Sequence, residues 1–296
     1  MGLGSVSCCI VYRLVRCTTH CYFRPMRLQN APLVHVVAQV VFSPILTIER
    51  HVPELQERLG ASFPRFRKAV IATIPVLGRE AGETSPQWEF ADRSQRTGVV
   101  LTSSSVVLHT AAYTSNEPFL FQMYAVLVAL RELVPTLQVV ERIGLRYVDL
   151  VRPREDESYG KYVHVGLLGF PFRDAPQLDA RSVNFLTQSV ATTNTGFLAI
   201  RSITLSPGRF LPPDLDAGML QTPAAAPTTG TMPGLAVDFD HFTLFNGPNT
   251  HAMDFDPDTI VAHLKTLHRT LRQAFDVIVT PYALEQWGPW VAVEAL

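Results

Sequence analysis

A chain of 296 residues, 47% hydrophobic and 17% charged, can bury a substantial core and lacks the composition of a disordered protein. Its formal net charge of -1 gives no electrostatic footprint for nucleic acid or an anionic membrane, both of which reward clustered Lys and Arg. The four cysteines, Cys8, Cys9, Cys17 and Cys21, all precede Met26, so disulfides cannot staple the remainder.

The segment 1–25 also carries Arg13, Arg16 and Arg24 and no acidic residue. Three readings compete for it: a targeting peptide, a Cys/His metal site that uses His20, or an extension outside the native product, with translation starting at Met26. Arg13 and Arg16 interrupt the apolar stretch that a secretory signal needs, and Cys17-x3-Cys21 has no properly spaced second pair for zinc. The extension is therefore the expectation. No apolar run long enough to span a membrane occurs elsewhere, which predicts a cytoplasmic protein with no membrane partner.

From Val34 the pattern becomes regular. Val34, Val36, Ala38, Val40 and Phe42 alternate with His35, Val37, Gln39 and Val41, which predicts a strand with one apolar and one mixed face, closed by Pro44. Val52, Leu55 and Leu59 mark a short helix ended by Gly60. Trp88–Ala91, Thr97–Thr102 and Ser105–Thr110 read as an antiparallel meander with turns at Asp92–Gln95 and Ser103–Ser104. Ser115 is placed to cap a helix in which Leu120, Met123, Leu127, Leu130 and Val134 repeat at helical spacing before Pro135 stops it.

The order then recurs. Arg142–Val151 is strand-like, Tyr159–Phe170 is helical or irregular, and Val183–Thr192 and Gly196–Leu205 form a hairpin about Thr193–Thr195. Leu235–Phe245 supplies a third strand. The segment 206–234, rich in Pro, Gly, Ala and Thr, is expected to be a mobile loop or lid. The last helix has Asp256 as N-cap and Pro257 at its first position, with Ile260, Leu264, Leu267, Leu271, Phe275 and Ile278 along one face. The expected fold is therefore α+β. It is a strand-helix-three-strand-helix unit present twice, in 26–140 and 141–296, with antiparallel sheet, long helices packed on one face and a pseudo-twofold axis. Helix-grip and TATA-box-binding architectures are similar in element order alone.

The runs Asn30–Val34 and Val41–Pro44, the segment Glu141–Val148, and Asp238–Phe242 followed by Leu267–His268 carry a resemblance. With them, Arg27 to Trp287 resembles a sporadically distributed family of uncharacterised bacterial proteins of about 250 residues, whose hallmark matches Arg142-Ile143-Gly144-Leu145-Arg146-Tyr147. The resemblance implies a fold, a start near Met26 and a bacterial, cytoplasmic origin. It carries no activity, cofactor or site residue.

Chemical motifs are scarce. No P-loop, dinucleotide-binding glycine turn or Gly-x-Ser-x-Gly elbow occurs, and the body has no cysteine for thiol catalysis. Asp254-x-Asp256-x-Asp258 resembles a calcium loop but has Thr259 where glycine is needed and Lys265 in place of the terminal glutamate. Asp256 and Asp258 read more simply as a cap and a first-turn charge. His263 and His268 lie too far apart around a helix to share a metal, and with His251 are read as solvated or locally bonded. No metal or cofactor is expected.

What remains is the polar side of the sheet. Arg142, Gly144 and Arg146 share one strand face, with Gly144 expected to leave open space between the two guanidinium groups, while Ile143, Leu145, Tyr147 and Asp149 share the other. Asp238 and Asp240 share a face of their strand, as do His35 and Gln39 of theirs. These residues form either Arg–Asp pairs across neighbouring strands or a ligand groove. The sequence thus predicts a binding or interaction module using an open sheet face or a groove between the halves, with Arg142, Arg146, Asp238, Asp240 and His35 as its site. The partner is a protein or a small anionic ligand. The alternative is an enzyme in which arginines hold an anionic substrate and Asp238, Asp240 or His35 acts as acid or base.

Overall fold

Alternation of apolar residues along Leu33–Phe42 (β2) buries Val36, Ala38, Val40 and Phe42 completely, and these four begin the core. The structure, a computed structural model, describes residues 26–72, 84–172, 176–180, 182–221, 233–247 and 251–292. The expected extension 1–25 and the stretch 222–232 of the long loop lie outside these residues. The chain is mixed α+β with antiparallel sheet.

A short strand, Met26–Leu28 (β1), precedes β2, and Val52–Leu59 (α1) follows it, ended at Gly60 as expected. Four strands come next: Arg65–Ala72 (β3), Thr84–Ala91 (β4), Thr97–Leu101 (β5) and Ser105–Thr110 (β6). β3 was not foreseen. It pairs only with β4 at the edge of the sheet, and Arg65–Lys68 and Val70 are exposed. Exposure along Arg65–Lys68 leaves no hydrophobic alternation there, and these charges are of the kind that protect an edge.

Asn116–Leu133 (α2) leads to the longest strand, Val139–Val151 (β7). Turns over 159–161 and 165–167 precede Leu186–Thr192 (β8), Phe197–Leu205 (β9) and Gly234–Leu244 (β10). Met253–Asp254 (β11), Pro257–Ile278 (α3), Pro281–Gln286 (α4) and Trp290–Ala292 (β12) complete the described chain. Asp256 caps α3 as its sequence requires, its Oδ2 accepting from Thr259 N at 2.9 Å.

The main sheet runs β3-β4-β5-β6-β2-β7-β10-β9-β8, with β11 on β7, and every pairing is antiparallel. β1 and β12 pair apart from it. Leu120, Met123, Leu127 and Leu130 of α2 and Ile260, Leu264, Leu267 and Leu271 of α3 share one core with β2 and with Ile143 and Leu145 of β7. α3 lies against α2, β7 and β10.

β2 and β7 are in register from Val36 to Val41, but the register shifts between Leu33 and His35. This bulge breaks the expected alternation: Val34 leaves the main core and packs with Val148, Leu150 and Leu211. An extra residue in one strand turns the following side chains, and bulges of this kind re-aim side chains at sheet positions that carry function.

Candidate functional site

The five residues singled out in the sequence come together on one side of the sheet, and four of them pair with one another, Arg146 with Asp238 and Arg142 with Asp240. Arg146 and Asp238 form a two-pronged bridge, Nε to Oδ1 and Nη2 to Oδ2, both 2.8 Å. Arg201 of β9 donates from Nε to Asp238 Oδ2 at 2.8 Å, because Asp238 stands opposite Arg201 in the register of β10 on β9. Asp238 is wholly buried. Burial is the largest influence on Arg146 and opposes its charge, but its hydrogen bonds to Asp238 and Asp214 and the charges of those carboxylates together outweigh burial and raise its pKa. Arg142 donates from Nη1 to Gln39 Oε1 at 2.6 Å and from Nη2 to Asp240 Oδ2 at 3.2 Å, with its guanidinium over the Phe242 ring. Burial pushes the Asp240 carboxyl up and the Arg142 guanidinium down.

Two expectations change here. The space over Gly144 is not open: a Cβ there would meet Arg142 Nη1 at 2.7 Å, since the guanidinium folds across the glycine to reach Gln39, which stands opposite it. Nor is the described part of the long loop free of the fold. Leu211 packs with Val148, Leu150 and Ala236, Asp214 bridges Arg146 and Arg201 at 3.1 and 3.0 Å, and Gln95 Nε2 donates to Met219 O at 2.9 Å. The segment 206–221 thus crosses the polar face, and its carboxylate occupies the two arginines.

His35, also on this side, lies edge-on to His109 with ring centroids 5.4 Å apart, and neither of its ring nitrogens has a partner. Burial, and then the positive charge of Arg146, push its pKa down to about 4; burial and His35 push His109 down to about 3. Both imidazoles are neutral near pH 7, so His35 does not meet an anion as a cation there.

The chemistry that the sequence did not reveal lies on the opposite side of β7. Tyr147 and Asp149 point with Ile143 and Leu145 toward the helices, and beside the β2 bulge and the chain that leaves β6 they line a cavity of about 750 Å³. Its wall includes Leu33 of β2, the β6–α2 junction 111–117, Phe239 of β10, and His268, Leu271, Arg272 and Phe275 of α3. Trp290 of β12 closes one side, stacked on Arg272 with the guanidinium 4.1 Å from its ring centre.

Three features mark this cavity. The first is a chain of hydrogen bonds, Tyr113 OH to Tyr147 OH at 3.2 Å and Tyr147 OH to His268 Nδ1 at 2.8 Å. Burial raises the pKa of both phenols and lowers that of His268, so all three are neutral near pH 7. The second is Asp149, only 5% exposed, whose carboxyl is pushed up to about 7 by burial and by Asp238, against the opposing charge of Arg272. The third lies behind one wall, where Ser115 Oγ, Asn116 Oδ1 and Arg96 Nε are buried without a partner and have almost no accessible surface.

Ser115 stands at the N-cap of α2, as its sequence suggests, but its side chain makes no cap bond. Pro118 contributes to this: an N-cap hydroxyl accepts from the second or third helical N–H, and proline at the third position removes one of those two donors. His263 and His268 reach the sheet rather than solvent, bonding Thr243 Oγ1 and Tyr147 OH at 2.7 and 2.8 Å. Two signals were available in the sequence, a Tyr and an Asp on an otherwise apolar strand face and a Ser followed by Pro at the third helical position.

Among the described residues no cluster of three or more His, Cys, Asp or Glu side chains has the arrangement of a metal site. No described helix is long and apolar enough to cross a membrane. Compared with models of known protein families and with curated proteins, the chain matches none.

Proposed function

We propose that this protein is a binding module for a small organic molecule, held in the cavity between its halves. One observation carries the reading: a cavity of about 750 Å³ in which apolar side chains are joined by Asp149 and the Tyr113–Tyr147–His268 hydrogen-bond chain. Ligand sites have this size and this mixture of apolar surface with a few convergent polar groups. The open sheet face is the weaker candidate, because its arginines are already paired with Asp238, Asp240 and Asp214. The cavity belongs to a duplicated fold, a reading supported by β2 and β7, each the first long strand of its half and lying side by side, with β6-β5-β4 running outward from one and β10-β9-β8 from the other. The pseudo-twofold axis then passes between β2 and β7, with α2 and α3 as equivalent long helices on the same face. A bacterial, cytoplasmic setting follows from the family resemblance of Arg27 to Trp287.

Ala112 lines the cavity and is itself exposed, so Ala112→Trp fills the space without disturbing the core. Native mass spectrometry of gently purified protein is expected to show a small-molecule adduct on the parent chain that Ala112→Trp loses. An adduct retained at equal occupancy by the variant excludes the cavity as its site.

A second reading, an enzyme, is favoured by Asp149. A buried carboxyl with a pKa of about 7 beside a phenol–phenol–imidazole chain is suited to proton transfer near neutral pH. Conversion of a recovered ligand by the parent chain but not by Asp149→Asn would establish this reading, and unchanged recovery of the ligand from both would leave the binding module.

A further inference from the structure

We propose that Asp149 anchors the ligand of the cavity, and that this ligand is a flat aromatic heterocycle carrying an amino group beside a ring nitrogen. The two carboxyl oxygens meet the ring nitrogen and the amino group side by side, and the rings lie against Phe239, Leu271 and Phe275, which line the same cavity. The proposal deepens the reading of the cavity as a ligand site and rests on it.

A buried carboxyl without a hydrogen bond carries the argument. Asp149 is only 5% exposed, and among the described residues no donor bonds its side chain, although its neighbours in the lining, Tyr147 and His268, bond each other. Buried carboxylates ordinarily hold partners, as Asp238 does with Arg146 and Arg201. Ser115 Oγ and Arg96 Nε also lack partners, but they are sealed from the cavity. The Asp149 oxygens are not among these sealed atoms, and the cavity that Asp149 lines is the space open to them. Strand alternation puts Asp149 there: it shares with Tyr147 the side of β7 that faces the helices, and stands opposite Leu33, where the register of β2 on β7 slips.

The carboxyl sets the chemistry of its partner. It presents two oxygens side by side, both acceptors when ionised, one a donor when protonated. Burial and the charge of Asp238 push this carboxyl up to about 7 against the opposing charge of Arg272, so both forms are within reach near neutral pH. An amino group beside a ring nitrogen fits either form. The ring nitrogen accepts from the acid or, once protonated, donates to the carboxylate, and the amino group donates to the second oxygen in both cases. Net charge does not select the ligand, since Arg27, Arg96 and Arg272 line the cavity together with Glu117 and Asp149. The arginines are engaged elsewhere or face solvent: Arg272 is stacked on Trp290 and paired with Asp276 at 3.2 Å, Arg96 Nη2 bonds Ala111 O, and Arg27 is exposed. Asp149 is the buried group that still lacks a hydrogen bond. Phe239, Phe275 and Tyr147 supply the aromatic surface against which flat rings pack.

Isothermal titration of the full chain with 2-aminoquinoline, quinoline and quinoline-2-carboxylate tests this. Aminoquinoline is expected to bind about tenfold more tightly than either, or better, since it alone satisfies both carboxyl oxygens. Asp149→Leu replaces the carboxyl by an apolar group of similar size. It is expected to bring aminoquinoline to within about threefold of quinoline, with quinoline binding as it does to the parent. The preference among the three probes is read on the parent chain alone, so it decides even where the variant is unstable. Quinoline binding the parent as tightly as aminoquinoline, or Asp149→Leu keeping the tenfold preference, overturns the role of Asp149 but leaves the cavity as a ligand site. Quinoline-2-carboxylate binding more tightly than aminoquinoline also overturns it, in favour of the arginines. If none of the three probes binds, or if Ala112→Trp leaves their binding unchanged, the cavity reading falls with it.

Discussion

Asp238 has no exposed surface and carries two guanidinium groups, Arg146 and Arg201. Removing one partner of such a buried group leaves the other charges uncompensated, so Asp238→Ala is expected to cost on the order of 3–5 kcal/mol in chemical denaturation. Arg146→Ala is expected to cost less, because Arg201 still holds the carboxylate. Asp149 behaves in the opposite way, for the opposing charge of Arg272 does not offset its burial and the charge of Asp238. Its folded pKa of about 7 lies above the ordinary 3.8, so the folded state holds a proton that the unfolded state releases. Stability from this group is therefore lost as pH rises from about 4 through about 7. Asp149→Asn escapes the loss and is expected to be more stable than the parent by about 2–4 kcal/mol at pH 8, with the difference vanishing near pH 4. An equal effect at both pH values would show that Asp149 is ionised without penalty in the fold.

Among the elements, α3 depends on a cap that is local to its own sequence. Asp256 accepts from Thr259 N and Pro257 starts the helix with the φ angle that it needs, so Asp256→Ala is expected to cost about 1 kcal/mol. The described loop segment 206–221 depends instead on distant partners. Asp214 is half exposed, so its bridges to Arg146 and Arg201 contribute little in water, whereas Leu211 is buried against Val148, Leu150 and Ala236. Leu211→Ala is accordingly expected to speed limited proteolysis of this segment well beyond Asp214→Ala, whose stability change should stay within about 1 kcal/mol. A larger effect from Asp214→Ala would mean that the ion pairs hold the loop.

Across the whole molecule, acid sensitivity follows from the two histidines beneath that loop. His35 and His109 have folded pKa values of about 4 and about 3, below the ordinary 6.5, so on acidification the unfolded state takes up protons that the fold refuses. Stability is expected to fall by about 1.4 kcal/mol per pH unit for each histidine as pH drops from 6.5 toward 4. His35→Phe keeps the ring and deletes two unpartnered nitrogens. It is expected to match the parent or exceed it at pH 7, and to reduce the loss at pH 5 when melting is followed by circular dichroism. A variant that loses stability at pH 7 would mean that the His35 nitrogens are satisfied in solution.

Periodicity is a property of the local backbone, and for this reason β2, α1, β4 to β10, α2 and α3 were legible in the sequence to within a few residues. The same holds for Asp256 and Gly60, whose roles depend only on their neighbours along the chain. Edge strand β3 was not legible because none of its described side chains, Arg65–Val70, is buried. Alternation also placed Arg142 and Arg146 on the opposite side from Tyr147 and Asp149, but it could not say what meets them. That depends on the register that sets Asp238 against Arg201, on a bulge at Leu33–His35, and on the path of 206–221 across the sheet. These are contacts between residues far apart in sequence. Tertiary structure alone therefore decided that the arginines are neutralised by their own chain, and that Ser115, Arg96, Tyr147 and Asp149 line one cavity.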